Sequence, residues 1–525
     1  MEDKAEKILN HLMQYLPHTF PSNLHKKLQK GHTIDIYCWK SQKNLRKEFT
    51  DMVDDMEAKG KEDTRLGDIN SNGITQGTIW KQLLGFFFPI LLGTFFQQLY
   101  NTVDAIVVGN ILGKEALAAV GGGTGFAVSL LIGFFTGLSS GATVVISQYY
   151  GAKDEDRVHK AIHNAFALSL AGGVLVSVAG YITAEPLLKA ISTPQDIMPL
   201  ALRYMHIYFA GGLATVMYNM GAGIFRAFGD SKRPLYFLIA GCVLNIVLDI
   251  VFVGPLHMGV AGAAYATVLS QVLSLVLVIV FLRRRTDCCH LVYKDIRFER
   301  QMLGKTIYIG LPAGLQAVLY TISNLMIQAS INGFGTNAAA AWAAYGKLDS
   351  LFWMIISAFG IAITTFVGQN YGAGQIERSK KGVRECLLMS LGATLVIEAL
   401  YISLSRYGFM LFASDADVID AGVGILNCIA PFYFTYILIE ILSGAIRGTG
   451  KALMPTIFTV FGICVLRVLW LRIVPPIYGT LNSVMACYPA TWIVTSLAFL
   501  VYYLFGNVYS QAKSTAISKT DTPET

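Results

Sequence analysis

Between about residue 83 and residue 505 the chain is a succession of apolar stretches, most of them twenty or more residues long, separated by short polar breaks. Hydrocarbon offers the backbone no hydrogen-bond partner, so a spanning segment must be a helix or part of a closed barrel. About 20 apolar residues carry a helix across the membrane core, whereas a barrel strand needs only about 10. The stretches therefore predict an all-α polytopic membrane protein. Splitting the run at its charged and Pro/Gly-rich breaks predicts twelve spans, near 83–111, 118–147, 159–184, 198–225, 233–254, 259–283, 304–332, 342–370, 382–405, 420–446, 455–474 and 482–505. Charged residues make up 14% of the chain, against about 25% in a soluble domain.

Charge asymmetry sets the orientation, because short loops rich in Lys and Arg stay on the cytoplasmic side. Alternate loops hold most of the basic residues, densest at Arg283, Arg284, Arg285, Lys294, Arg297, Arg300 and Lys305. The intervening loops hold only Lys114, Lys189, Arg203, Lys347 and Arg406. Both termini are then expected in the cytoplasm, and the first 20 residues lack the basic-then-apolar order of a signal peptide. The net charge of +7 follows from this loop bias, so no nucleic-acid partner is called for. Eight cysteines without a C-x-x-C motif indicate neither a disulfide framework nor a metal cluster. Residues 1–78 are polar, with twelve basic and twelve acidic residues, and read as a cytoplasmic extension with weakly amphipathic stretches around Ile8–Leu16 and Leu45–Met56.

Self-comparison reveals a repeat. Gln148, Tyr150 and Gly151 match Gln369, Tyr371 and Gly372, while Gly223, Arg226, Gly229 and Pro234 match Gly444, Arg447, Gly450 and Pro455, all 221 residues apart. Pro89 and Pro312, and Tyr100 and Tyr320, agree to within two residues. Six spans per half is an even number, so both halves enter the membrane with the same orientation and their pseudo-two-fold axis follows the membrane normal. Parallel repeats of this kind occur in alternating-access transporters. The division is a first lobe at 79–285, a cytoplasmic linker at 286–303, a second lobe at 304–506 and a cytoplasmic tail at 507–525. The Gly-rich motifs followed by Arg read as helix C-caps with snorkelling side chains. Neither a G-x-x-x-x-G-K-[ST] nor an H-E-x-x-H motif is present, which argues against direct ATP drive and against an enzyme.

An ionisable residue inside a span costs roughly 2.5–3.5 kcal/mol by insertion scales and marks a functional candidate. The first half has two, Asp104 and Asp249, each about 10 Å below the outer end of its helix at 1.5 Å per residue. Asn245 stands one turn from Asp249 on the same face, and Thr267 falls at comparable depth on the next span. Four oxygen-bearing side chains on three helices could share a proton or bind a small cation such as Na⁺. The plainer reading is that both acids satisfy packing partners. Pro89 removes a helix hydrogen bond four turns below Asp104 and predicts a bend or hinge. In the second half the matching positions are Asn324 and Trp470 by simple offset, and Asp349 and Glu398 are candidate contacts for a cationic substrate.

These residues resemble the multidrug and toxic compound extrusion (MATE) family. The run from Pro89 through Gln98, Tyr100, Asp104, Gly109, Gly113 and Ala116 to Gly121 is similar to the family's first helix, and the paired Gln/Gly and Arg/Pro motifs also fit. The resemblance covers about residues 80 to 505 and implies two six-helix lobes around a V-shaped cavity. It further implies antiport of amphipathic organic cations against H⁺ or Na⁺, with no other cofactor. Pro89, Asp104, Asn245, Asp249 and Thr267 match the family's first-lobe coupling pattern, with Gln98 and Tyr100 as further candidate substrate contacts. The expected protein is a monomer in the plasma (cell inner) membrane, surrounded by lipid and binding lipophilic cations. The alternative is a lipid-linked oligosaccharide or lipid flippase of the same superfamily, whose anionic substrate would call for basic residues along the cavity.

Overall fold

The computed structural model describes residues 74–191 and 193–510, which contain helices and no strand. The amphipathic stretches expected in the amino-terminal extension, and the tail beyond 510, lie outside the described residues. The first half comprises α1 (Ile79–Leu112), α2 (Lys114–Gly121), α3 (Gly123–Gly151), α4 (Glu155–Ala190), α5 (Met198–Ala210), α6 (Gly212–Ala227), α7 (Lys232–Val253) and α8 (Val260–Arg283). The second comprises α9 (Arg300–Asn332), α10 (Thr336–Gly372), α11 (Ile376–Met410), α12 (Ala416–Ile429), α13 (Tyr433–Gly448), α14 (Leu453–Thr459), α15 (Leu466–Tyr478), α16 (Leu481–Met485) and α17 (Cys487–Phe505). Among the described residues eleven helical segments are long and apolar enough to span a membrane. The twelfth expected span, 198–225, is divided at Gly211 into α5 and α6.

Local chemistry accounts for the ends and breaks. Asp154 caps α4 by accepting from the Arg157 amide at 3.1 Å, and Asp415 caps α12 by accepting from the Asp417 amide at 3.0 Å, the usual role of a short acid at a helix start. Gly113, at φ +92°, supplies the left-handed turn between α1 and α2. Between α14 and α15 the helix passes through a π turn at Val460–Val465. A π turn holds one residue more than the α turn it replaces. Beyond it the repeat offset therefore grows from 221 to 222, so the partner of Asn245 is Arg467 and that of Asp249 is Leu471, correcting the simple-offset match to Trp470.

Large apolar side chains such as Ile182, Val396 and Leu504 face outward, as a lipid-solvated surface allows. Helix association in lipid relies on close packing and small residues, and the seam between the halves is built that way. Where α3 crosses α9, a Cβ on Gly137 would stand 2.4 Å from the Gly314 amide nitrogen, and one on Gly141 2.5 Å from that of Gly310. On α1, Phe87 stacks on Phe359 of α10 with ring centroids 4.0 Å apart. The seam is tight at one end only. Residues 141–147 of α3 and 362–370 of α10 are buried without exception, whereas the opposite ends of both helices are largely exposed or half-buried. The halves thus diverge into a V whose closed end is the end carrying the basic loops. The linker is strapped to α4 there, the Val292 amide donating to His163 Nε2 at 2.9 Å and the Glu299 amide to Asn164 Oδ1 at 3.1 Å.

Candidate functional site

Three helices of the first half pack together around a polar interior: α7 lies against both α1 and α8. Between them the structure encloses a cavity of about 230 Å³, lined among others by Tyr100 of α1, Asn245 of α7 and Gln271 of α8. Residues four apart share a helix face. Asp104 stands one turn beyond Tyr100, Asp249 one turn beyond Asn245, and Thr267 one turn beyond Gln271. Because α8 runs antiparallel to α1 and α7, all three displacements point the same way, toward the open end of the V. This register places the four side chains named from the sequence at one level.

Burial makes the layer unusual. Asp104 is 7% exposed, Asn245 1%, Asp249 0% and Thr267 5%. Both oxygens of Asp249, Oδ1 of Asp104, and both polar atoms of the Asn245 amide find no hydrogen-bond partner among the described residues. The two carboxyl groups are near enough to interact electrostatically, and Tyr204 is within electrostatic reach of both. Thr267 Oγ1 donates to the Ala263 carbonyl at 3.1 Å, which leaves its lone pairs to accept. No basic side chain lines the cavity. Two buried acids without a cation or a donor are unfavourable unless protons or a small cation complete them. Oxygen donors of carboxylate, amide and hydroxyl type suit H⁺ and Na⁺ alike. Pro89 lies inside α1, four turns from this layer.

The other sequence candidates are elsewhere. Gln98 is exposed and faces a separate groove with Asn101, Asn110 and Lys347. Asp349 is held by the second half's own side chains, Oδ1 accepting from the Tyr433 hydroxyl at 2.5 Å and Oδ2 from Trp353 Nε1 at 2.6 Å. Tyr345 joins that network through its hydroxyl, 3.0 Å from the hydroxyl of Tyr433. Glu398 Oε1 accepts from the Phe434 amide at 3.0 Å, satisfying a backbone donor where the chain restarts as α13. Sequence reasoning missed Gln271, Tyr204 and the seam. The Gln/Gly motifs, read as caps, are also cross-contacts: Gln148 Nε2 donates to the Gly448 carbonyl at 2.8 Å, and Gln369 Nε2 to the Ala227 carbonyl at 2.7 Å. A Cβ on either Gly151 or Gly372 would stand 1.9 Å from the carbonyl oxygen of the opposing Gln. The signal was the pairing itself, since a cap needs glycine but not a glutamine repeated at the same spacing.

One trio outside this region, His159, His163 and Asp295, brings its donor atoms within 4.8 Å of one another. His163 is already committed, Nδ1 donating to the His159 carbonyl at 2.7 Å while Nε2 accepts from Val292. The trio reads as a strap for the linker.

Comparison with known proteins agrees with this architecture. The MatE family model matches residues 89–251 and 312–471, one block per half. A probable multidrug resistance protein of Bacillus subtilis, YpnP, is 30% identical over 433 residues, covering 82% of this chain and 96% of that protein. An FAD transporter of Shewanella oneidensis is 27% identical over 358 residues, covering 66% and 78%. A solved structure described as the outward-facing conformation of a multidrug resistance MATE family transporter superposes with a TM-score of 0.77 at 25% identity, covering 84% of this chain and 98% of that one.

Proposed function

This chain belongs to the MatE family, and from that premise we propose that it is a secondary active antiporter exporting amphipathic organic cations in exchange for H⁺ or Na⁺. Its place is the plasma (cell inner) membrane, with both termini and the closed end of the V in the cytoplasm. The observation that carries the reading is the pair Asp104 and Asp249, buried with unpartnered oxygens and facing no basic side chain. In the outward-open arrangement an ion enters from outside and neutralises this layer. Neutralisation removes the electrostatic penalty on packing α1 against α7 and α8, and Pro89 gives α1 a place to bend. The halves then close over the ion and open toward the cytoplasm, where release of the ion and capture of cargo reverse the cycle. A lipophilic cation is held by apolar and aromatic contact, and exchange follows because ion and cargo favour opposite states.

The test is ethidium export in inverted vesicles under an imposed pH gradient and, separately, an imposed Na⁺ gradient. Export driven by one gradient, and lost in Asp104→Asn and Asp249→Asn proteins that still insert, is the expected result. Gradient-driven export at the wild-type rate in both variants would remove the proposed coupling site.

A further inference from the structure

At the closed end of the V, between the halves, lies a second cavity of about 140 Å³ lined from α3, α6, α10 and α13. Its lining comes in repeat-related pairs of positions: Thr143 with Thr364, Ser139 with Gly360, and Arg226 with Arg447, each 221 residues apart. The cavity therefore sits on the pseudo-two-fold axis. At one pair the charge changes, Asn219 of the first half corresponding to Glu440 of the second. Two guanidinium groups thus meet one carboxylate, leaving an excess positive charge in a polar, hydroxyl-lined space.

Among the described residues neither arginine forms an ion pair. Arg447 Nη2 donates to Ser443 Oγ at 3.2 Å, and Arg226 lies beside the bare backbone of Gly223. A guanidinium presents a rigid fork of donors that matches the two oxygens of a carboxylate or phosphate. Two such forks, one from each half, face a space of about 140 Å³, large enough to admit an oxyanion group. We propose that this cavity binds the carboxylate or phosphate head of an amphipathic organic anion. The rest of the cargo extends toward the first-half cavity, since Thr136 and Asn219 wall both spaces. Arg226 immediately precedes Ala227 and Arg447 immediately precedes Gly448, the residues whose carbonyls receive Gln369 and Gln148. An anion bridging both arginines therefore ties α6 to α13 and holds the cytoplasmic seam shut beneath it. This goes beyond cation export, because the acidic layer has no means of holding an anion.

The experiment uses the full chain in lipid nanodiscs and carboxyfluorescein as probe, with affinity read by fluorescence polarisation. Competition by inorganic phosphate or by acetate separates the two head groups. Arg226→Gln and Arg447→Gln should each weaken binding by tenfold or more, and the Lys variants should fall in between, because they keep the charge and lose the two-donor fork. Glu440→Gln should tighten binding by removing the competing acid. Ethidium binding should be unchanged in both Gln variants, so failure of the coupling model and failure of the anion site are told apart. The proposal is overturned if the wild type does not bind the probe, if both Gln variants bind as well as wild type, or if Glu440→Gln fails to tighten binding. It is equally overturned if the Gln variants lose ethidium binding in parallel, which would mark the arginines as structural only.

Discussion

The two halves share one ancestral pattern and treat buried charge in opposite ways. In the first, Asp104 and Asp249 sit in the outer layer with unpartnered oxygens. In the second, the site equivalent to Asp104 is Asn324, and its neighbour across the helices is Arg467, fully buried, with Nη1 donating to Asn324 Oδ1 at 3.1 Å and the guanidinium over the Tyr488 ring at 4.5 Å. Of the acids in the second half's interior, Asp349 is satisfied by Tyr433 and Trp353, and Glu398 by the Phe434 amide. A charge completed by fixed donors has one stable arrangement, whereas an incomplete one changes its energy when an ion arrives or leaves. Duplication has thus left a responsive lobe beside a fixed one.

The largest effect is expected in the responsive lobe. Asp104→Asn and Asp249→Asn should reduce ethidium efflux from loaded cells to background while leaving the protein as stable as before or more so, because the uncompensated charge is removed. Lost efflux accompanied by a melting temperature several degrees lower would mean the acids are structural, and the contrast between lobes would fail.

A bulkier disruption falls on the seam common to both halves. Gly151→Leu or Gly372→Leu places atoms where even a Cβ would stand 1.9 Å from a carbonyl oxygen, so the cytoplasmic end cannot close as observed. Export should fall at least tenfold, and a cysteine introduced at Ser443, deep in the seam, should become reactive from the cytoplasmic side. Unchanged reactivity would show that the closed seam is not a working state. Gln148→Ala is milder, about 1 kcal/mol for one hydrogen bond, and should shift the same reactivity partially.

How much of this was legible beforehand depended on the kind of signal. Spans were visible because length and apolarity act additively along the chain. Asp104 and Asp249 were conspicuous because a charge in an apolar run has few bland explanations. Asp349 looked equally conspicuous, and only the geometry of Tyr433 and Trp353 separates it from them. Arg226 and Arg447 were hidden by position, since a basic residue at a cytoplasmic helix end is ordinary until a second one is found facing it across the axis. The π turn left no mark in composition, so the one-residue shift that aligns Asn245 with Arg467 required coordinates.

In the fixed lobe the effect of losing an acid should be on stability. Asp349→Asn keeps the shape but weakens two hydrogen bonds to an ionised acceptor, roughly 1–3 kcal/mol. Thermal unfolding in detergent should fall, while efflux per folded molecule stays within about threefold of wild type. A stable Asp349→Asn protein without efflux would move coupling into the second half.

The smallest effect sharpens the comparison by reversing it. Asn324→Asp restores an acid at the position matching Asp104, but beside Arg467, whose Nε and Nη2 find no hydrogen-bond partner among the described residues. The new carboxylate would accept from a guanidinium already 3.1 Å away and become a completed pair, gaining about 1–2 kcal/mol over the neutral hydrogen bond. The expected result is a melting temperature raised by a few degrees, with the number of ions exchanged per cargo unchanged. A raised ion-to-cargo ratio would show that an acid at this depth couples whatever stands next to it, so that the missing cation, and not the position, would no longer explain why the first half responds.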